Sequence, residues 1–147
     1  MIKIPPLAVM AICLVLSATT HTLMPITQFD AGYVAPSIFG FLGVGFVYFA
    51  VMDFRKHKTT VNPLQLSNAT SLVTTGVYSI SRNPMYVGMT LLTLSFAIFL
   101  GTLSAFFAPV LFVVYITKFQ IKPEEQALNT IFGEEWATYQ KTTRRWL

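Results

Sequence analysis

A chain of 147 residues has the length of one ordinary domain, but 54% hydrophobic residues against 11% charged is far from the roughly one-quarter charged residues of a soluble domain. Its formal charge of +4 would suit nucleic acid if the charges formed a patch on a soluble surface, and their placement described below excludes that. Cys13, the single cysteine, excludes an internal disulfide and a thiolate zinc cluster.

No Asp, Glu, Lys or Arg occurs in 4–29, 31–52 or 83–117, and about 20 apolar residues carry a helix across a bilayer core. The chain lacks the alternation of a barrel, and each span must satisfy its own backbone hydrogen bonds in lipid. The expected fold is therefore all-α, an integral membrane bundle of about four transmembrane helices with a C-terminal amphipathic helix on the cytosolic side. The first crossing is placed at 5–24. Lys3, the apolar stretch after it and Leu16-Ser17-Ala18 also fit a secretory signal peptide; we read the segment as a retained span. The second crossing, 35–54, carries Gly40, Gly43 and Gly45, which permit close approach of another helix. The polar stretch 55–82 also contains Leu64, Leu66, Leu72, Val73, Val77, Tyr78 and Ile80, so it is expected to fold onto the bundle or the membrane surface.

Gly101 and Thr102 divide the longest uncharged run into a hairpin of two short crossings, 84–101 and 103–121, the second containing Pro109. After it, 123–140 reads as one amphipathic helix on the cytosolic surface. With this topology Lys3, Arg55, Lys56, Lys58, Arg82, Lys118, Lys122, Lys141, Arg144 and Arg145 all fall on one side, while the opposite loop near Asp30 has no Lys or Arg. Both termini of this multi-pass chain are then cytosolic. Residues 1–54 form two N-terminal spans and 55–147 a core made of the cytosolic segment, the hairpin 84–121 and the last helix.

The densest cluster of unusual residues is 76–88, Gly76-Val77-Tyr78-Ser79-Ile80-Ser81-Arg82-Asn83-Pro84-Met85-Tyr86-Val87-Gly88. Asn83 and Pro84 read as an N-cap and a first-turn proline, so a helix starts here and enters the membrane. Its free N–H groups beside Arg82 suit a carboxylate or phosphate. The plainer reading is that Arg82 anchors to lipid phosphate and that Tyr78 and Tyr86 belong to the aromatic belt. Past the fourth crossing, Pro123-Glu124-Glu125 puts two acids at the membrane edge. They suit the dipole of a helix N-terminus, or a ligand bearing an ammonium or sulfonium. Glu134 and Glu135 read as a solvated face. His21 and His57 lie too far apart in this topology for a shared metal site, so no metal is expected, and no hydrolase, Walker or dinucleotide fingerprint occurs.

The stretch Leu72-Val73-Thr74-Thr75-Gly76-Val77-Tyr78, continued by Arg82-Asn83-Pro84-Met85-Tyr86-Val87-Gly88, resembles the membrane methyltransferases typified by isoprenylcysteine carboxyl methyltransferase and the phospholipid N-methyltransferases. Glu124-Glu125, Leu128, Phe132-Gly133, Trp136, Tyr139 and Arg145-Trp146 are similar to the acid pair and aromatic ending of that family. The resemblance covers about residues 59–147. It implies S-adenosylmethionine as cofactor, lined by Thr70, Ser71, Leu72, Val73, Tyr78, Asn83, Pro84, Met85 and Tyr86, with Glu124 and Glu125 near its polar end. Arg82 and Tyr86 become the catalytic candidates, Arg82 orienting either the turn or a substrate anion.

Two positions depart from the carboxyl methyltransferase pattern. Asn83 stands where His is commonest, which keeps a hydrogen-bonding cap and removes a proton-transfer group. Gln120 stands at a substrate-binding arginine, and the flanking Lys118 and Lys122 cannot reproduce a bidentate guanidinium. The acceptor implied is a membrane lipid or hydrophobic small molecule rather than specifically a prenylcysteine carboxylate. Two other readings fit the same residues. One is a nicotinamide-dependent membrane reductase related to sterol reductases, which have a similar Arg-His-Pro-x-Tyr segment, and the other is a non-enzymatic membrane scaffold.

Overall fold

The computed structural model describes residues 4–56 and 71–147. It is all-α: among these residues no strand occurs, only an isolated antiparallel bridge between Gln28 and Thr102. In chain order come α1 (Pro6–Leu23), α2 (Val34–Lys56), a 3-10 turn (Gly76–Ser79), α3 (Pro84–Leu100), a second 3-10 turn (Leu103–Phe106), α4 (Phe107–Ile116), a π-helical turn (Thr117–Ile121), α5 (Lys122–Phe132) and α6 (Glu134–Thr142). Three helical runs, Pro6–Leu23, Val34–Lys56 and Leu103–Phe132, are long and apolar enough to cross a membrane. The shorter apolar α3 has 17 residues, about 26 Å at 1.5 Å per residue. It is the central element, packed against α2 on one side and α1 and α4 on the other. Large apolar side chains such as Phe41, Val44, Phe49, Val110 and Val114 stay exposed around the bundle, which suits a lipid solvent. The chain is an integral membrane protein.

The α2–α3 packing depends on two glycines. A methyl group added to Gly88 would lie 2.6 Å from Val47 Cγ2 and 2.7 Å from the Gly43 carbonyl, and one added to Gly43 would lie 2.9 Å from the Gly88 carbonyl. Backbone therefore meets backbone at this crossing, as small residues allow in membranes. Gly45, expected to belong to the same row, has nothing within 4 Å of its added methyl.

Prolines explain the hydrogen bonds that the side chains complete. Pro109 has no N–H to offer Ala105 four residues earlier, and Ser17 Oγ of α1 donates to that Ala105 carbonyl at 3.0 Å. Beside it Thr20 Oγ1 donates to Ser104 O and Ser104 Oγ to Thr20 O, both at 3.2 Å. His21 Nδ1 lies 3.3 Å from Thr102 Oγ1. At this end of the bundle the loop between α1 and α2 caps the hairpin, Phe29 N–H donating to Gly101 O and Leu103 N–H to Ile26 O. Gly101 ends α3 at φ +65 with the Phe29 carbonyl against its α-carbon, a place and a backbone conformation that only glycine fills readily.

Pro123 has a larger effect. Its ring would collide with the carbonyl of Phe119 in a regular helix, and the widened π turn Thr117–Ile121 lies immediately before it. The extra residue turns everything that follows by about 100° relative to an unbroken helix. With that rotation Gln120, Ile121, Glu124 and Glu125 are buried and Lys118 and Lys122 are exposed.

The four expected crossings agree with the observed helices within two residues at most ends. The last helix does not. Expected as one piece over 123–140, it is two helices broken at Gly133, which sits at φ +50 and ψ −114. The polar stretch 55–82 is described only at its ends, residues 57–70 lying outside the described residues.

Substitution of Gly88 by Ala should destabilise the protein by about 2 kcal/mol, since neither the Gly43 backbone nor the Val47 backbone amide beside it can move away cheaply. Gly45→Ala should be neutral. Unfolding of the two purified variants in the same detergent checks both.

Candidate functional site

At the end of the bundle where α1 begins, α2 ends and α3 begins, the polar side chains concentrate. Glu125 is the hub. Its carboxylate accepts from Arg82 Nη2 at 2.9 Å and from Arg145 at both oxygens, Nε at 3.0 Å and Nη2 at 2.7 Å. The Arg82 and Glu125 side chains are only 9% and 10% exposed, so this pair is desolvated, whereas Arg145 at 37% remains in touch with water. Arg82 Nη1 also donates to the Thr143 carbonyl at 2.6 Å and to that of Gln140 at 3.2 Å. Its guanidinium lies 5.8 Å from the centre of the Trp136 ring.

The C-terminal tail is thereby strapped across the start of α3. Arg82 N–H donates to Arg144 O, and Ser81 Oγ and Asn83 Nδ2 both donate to Arg145 O, at 3.3 and 2.9 Å. This corrects one expectation. Asn83 occupies the N-cap position, at φ −131 and ψ 53, but its side chain makes no cap bond and is turned by its Nδ2 bond to the tail. Ser81 Oγ accepts the Asn83 N–H, and the Asn83 carbonyl takes the first helical bond from Val87.

One turn into α3, the buried Tyr86 hydroxyl donates to Glu124 Oε1 at 2.8 Å. The neighbouring acids therefore face different partners, Glu125 two guanidinium groups and Glu124 a phenol. Tyr78 and Tyr139 form a third contact. Tyr139 Oη donates to the Tyr78 carbonyl at 2.6 Å, and burial pushes both phenols well above their ordinary pKa, so both remain protonated. Tyr78 meets Phe54 edge-on with centroids 5.1 Å apart and packs with Ala50, Val73, Val77 and Met85.

The structure thus gathers Arg82, Asn83, Tyr86, Glu124 and Glu125 at one place, with Val73, Tyr78 and Met85 packed with residues of α2 beside it, Pro84 buried, and Ser71 and Leu72 half-buried. Thr70 lies outside the described residues. Gln120, expected to meet substrate, is 1% exposed. Its Nε2 donates to the Ile4 carbonyl just before α1 at 2.8 Å, and among the described residues its Oε1 has no hydrogen-bond partner. Among the described residues no three His, Cys, Asp or Glu side chains converge as a metal site.

Two participants were not singled out from the sequence as site residues. Arg145 is noted in the sequence only as part of the Arg145-Trp146 ending and given no role at the site. Asp53 carries a signal: it is the sole acid between Asp30 and Glu124, and such a residue at the edge of an apolar span calls for a partner. Its Oδ2 accepts the Val77 N–H at 3.2 Å.

Fold and site together define a helical membrane protein with a buried, hydrogen-bonded Arg, Tyr and Glu constellation at one mouth of its bundle. The chain belongs to the phospholipid methyltransferase (PEMT) family, whose profile matches residues 32–135. That match takes in α2 to the start of α6, and with them all the carboxylates and Arg82 of the site. An uncharacterized protein of Haemophilus influenzae is 36% identical over 63 residues, which are 43% of this chain and the whole of that one. No solved structure matches.

Because Arg82 is sealed with Glu125, Glu125→Gln should leave a buried cation uncompensated and cost about 3 kcal/mol. Arg145→Gln, at the wetter end of the same network, should cost about 1 kcal/mol or less. Chemical unfolding followed by tryptophan fluorescence measures both, since Trp136 and Trp146 lie within the strapped region.

Proposed function

We propose that this protein transfers a methyl group from S-adenosylmethionine to a lipid-borne or hydrophobic acceptor at the cytosolic face of the membrane. The observation that carries this reading is the buried Tyr86–Glu124 pair at 2.8 Å, placed where the apolar part of the bundle meets its polar mouth. The residues suit the cofactor chemically: a carboxylate at a membrane edge favours a cationic ligand, and the cofactor has an ammonium and a sulfonium. When bound, the cofactor supplies an electrophilic methyl on sulfur and leaves as a neutral thioether.

The residues of the chain then have separate duties. Glu124 holds the cationic end of the cofactor, and Tyr86 fixes the carboxylate while itself remaining neutral. Asn83 and Arg82 keep the turn 81–83 and the tail in register, so that the site is closed on its aqueous side. Arg82, already bonded to Glu125 and two carbonyls, acts as an organiser of the pocket. A site of this kind accelerates transfer chiefly by holding nucleophile and methyl in line, which requires few ionisable groups. The acceptor enters from the lipid side, and the site belongs to the core 55–147, with both termini in the cytosol.

Calorimetric titration of the detergent-purified protein with S-adenosylmethionine tests the assignment. Glu124→Ala and Asn83→Ala should weaken binding by about tenfold or more, and Tyr86→Phe by about threefold, the scale of one hydrogen bond to a charged group against one weakened contact. Wild-type affinity in both alanine variants would overturn the site, and NADPH binding in place of S-adenosylmethionine binding would replace the methyltransferase with a reductase. Orientation is read separately in a Cys13→Ser background. A cysteine at Gln140 should react with an impermeant thiol reagent only from the cytosolic side, and one at Gly32 only from the other.

A further inference from the structure

Six acidic residues occur in the chain. Asp30, Glu134 and Glu135 are exposed, and Asp53, Glu124 and Glu125 are buried. All three buried carboxylates reach one short stretch, Asp53 at the Val77 N–H, Glu125 at the Arg82 guanidinium and Glu124 at the Tyr86 hydroxyl. Two of them come from α5. Asp53 comes from the other side of the site, from the last turn of α2.

That position is unfavourable for an anion, because a helix C-terminus already presents negative carbonyl ends. The Lys56 ammonium at 3.7 Å is 69% exposed, and a pair so well solvated offsets little. The backbone donor of Val77 is a stronger partner, a charge-assisted bond away from bulk water. The turn is shaped to receive it. Gly76 has φ +63, and the Asp53 carboxylate occupies the space where a side chain on Gly76 would stand, so the glycine is required twice. Two residues after Gly76, Tyr78 is held by Phe54 of α2 at its ring and by the Tyr139 hydroxyl of α6 at its carbonyl.

We propose that Asp53 is a positioning residue for the cofactor-binding turn: its carboxylate fixes the Val77 N–H and thereby places residues 78–83 against α5 and the tail. This inference rests on the cofactor reading above. It makes α2 part of the site's machinery rather than a membrane anchor beside it.

Three variants test it, with two readouts on the full-length protein: deuterium uptake of the peptide spanning 76–82 without cofactor, and calorimetric affinity for S-adenosylmethionine. Asp53→Asn keeps an acceptor oxygen at the same reach and should stay within about threefold of the wild type in both, whereas Asp53→Ala should speed exchange and weaken affinity by about tenfold each, the worth of one hydrogen bond to a charged group. Asp53→Glu keeps the charge but overshoots by a methylene, and should resemble the alanine variant. Affinity retained despite faster exchange, wild-type behaviour of Asp53→Ala, or a Glu variant that outperforms Asn would each overturn the proposal. If Asp53→Ala does not fold, the Asn and Glu pair decides between position and charge. A wild type that binds no S-adenosylmethionine overturns the cofactor reading and this proposal with it, and the exchange readout then shows whether Asp53 still holds the turn.

Discussion

A carboxylate buried at the edge of an apolar phase has to be matched by positive charge or by hydrogen-bond donors, and at Glu125 that requirement organises the polar mouth of the bundle. One matching guanidinium comes from Arg82, just ahead of α3, and the other from Arg145, almost at the end of the chain. Satisfying one anion therefore draws the C-terminus onto the helix that follows the motif. Once there, the tail carbonyls of residues 143–145 take Arg82, Ser81 and Asn83 as donors, groups that would otherwise face a membrane boundary with no fixed partners. Such a pair adds little net stability over an apolar replacement. Its consequence is geometric: α3, α5 and the tail can meet in one register only.

The adjacent Glu124 has a different role because neighbouring residues on a helix point about 100° apart. From the same turn of α5, one acid is directed at the arginines and the other at Tyr86. This division depends in turn on the π-helical turn ahead of Pro123. Without its extra residue the two acids would be rotated by one position, and Glu125 would lose its alignment with Arg82. A proline that disrupts a regular helix is thus what brings a membrane span and an interfacial helix into productive register.

The sequence makes the spans legible because they are written in long uncharged runs, and the gathering of Arg82, Asn83, Tyr86, Glu124 and Glu125 at one end follows from the antiparallel order of those spans. What it hides is pairing. That Arg82 meets Glu125 and not Glu124 is set by the π turn, which a helical wheel with a constant 3.6-residue period cannot contain. That Asn83 gives its amide to the tail is set by Arg145, a contact across 62 residues. The break at Gly133 is also invisible to amphipathic periodicity, because the residues on both sides of it alternate polar and apolar in the same way. Gln120 looks like a reader of substrate from its place one turn before the acids, yet it is buried against the start of α1, and a helix–helix contact of that kind leaves no local pattern.

The two ends of the bundle solve the same problem by different chemistry, and the difference fits an enzyme with one working mouth. At the end near Thr102 the contacts that join the loop and hairpin are neutral, hydroxyls on carbonyls, a hydroxyl beside a histidine and loop amides on the hairpin, while the exposed Asp30 accepts locally from the Gly32 N–H. Neutral bonds suffice to complete backbone groups that prolines and turns leave open, and they carry no charge that would attract or orient a ligand. At the opposite end three buried carboxylates and two arginines are kept in fixed positions at a considerable desolvation cost. Structural closure does not require that expense, as the neutral end demonstrates. Buried, fixed charges at one mouth suit the charged ligand proposed for this site, which would have to be held in one orientation beside a lipid phase, and the polarity of the bundle supports placing the proposed reaction there.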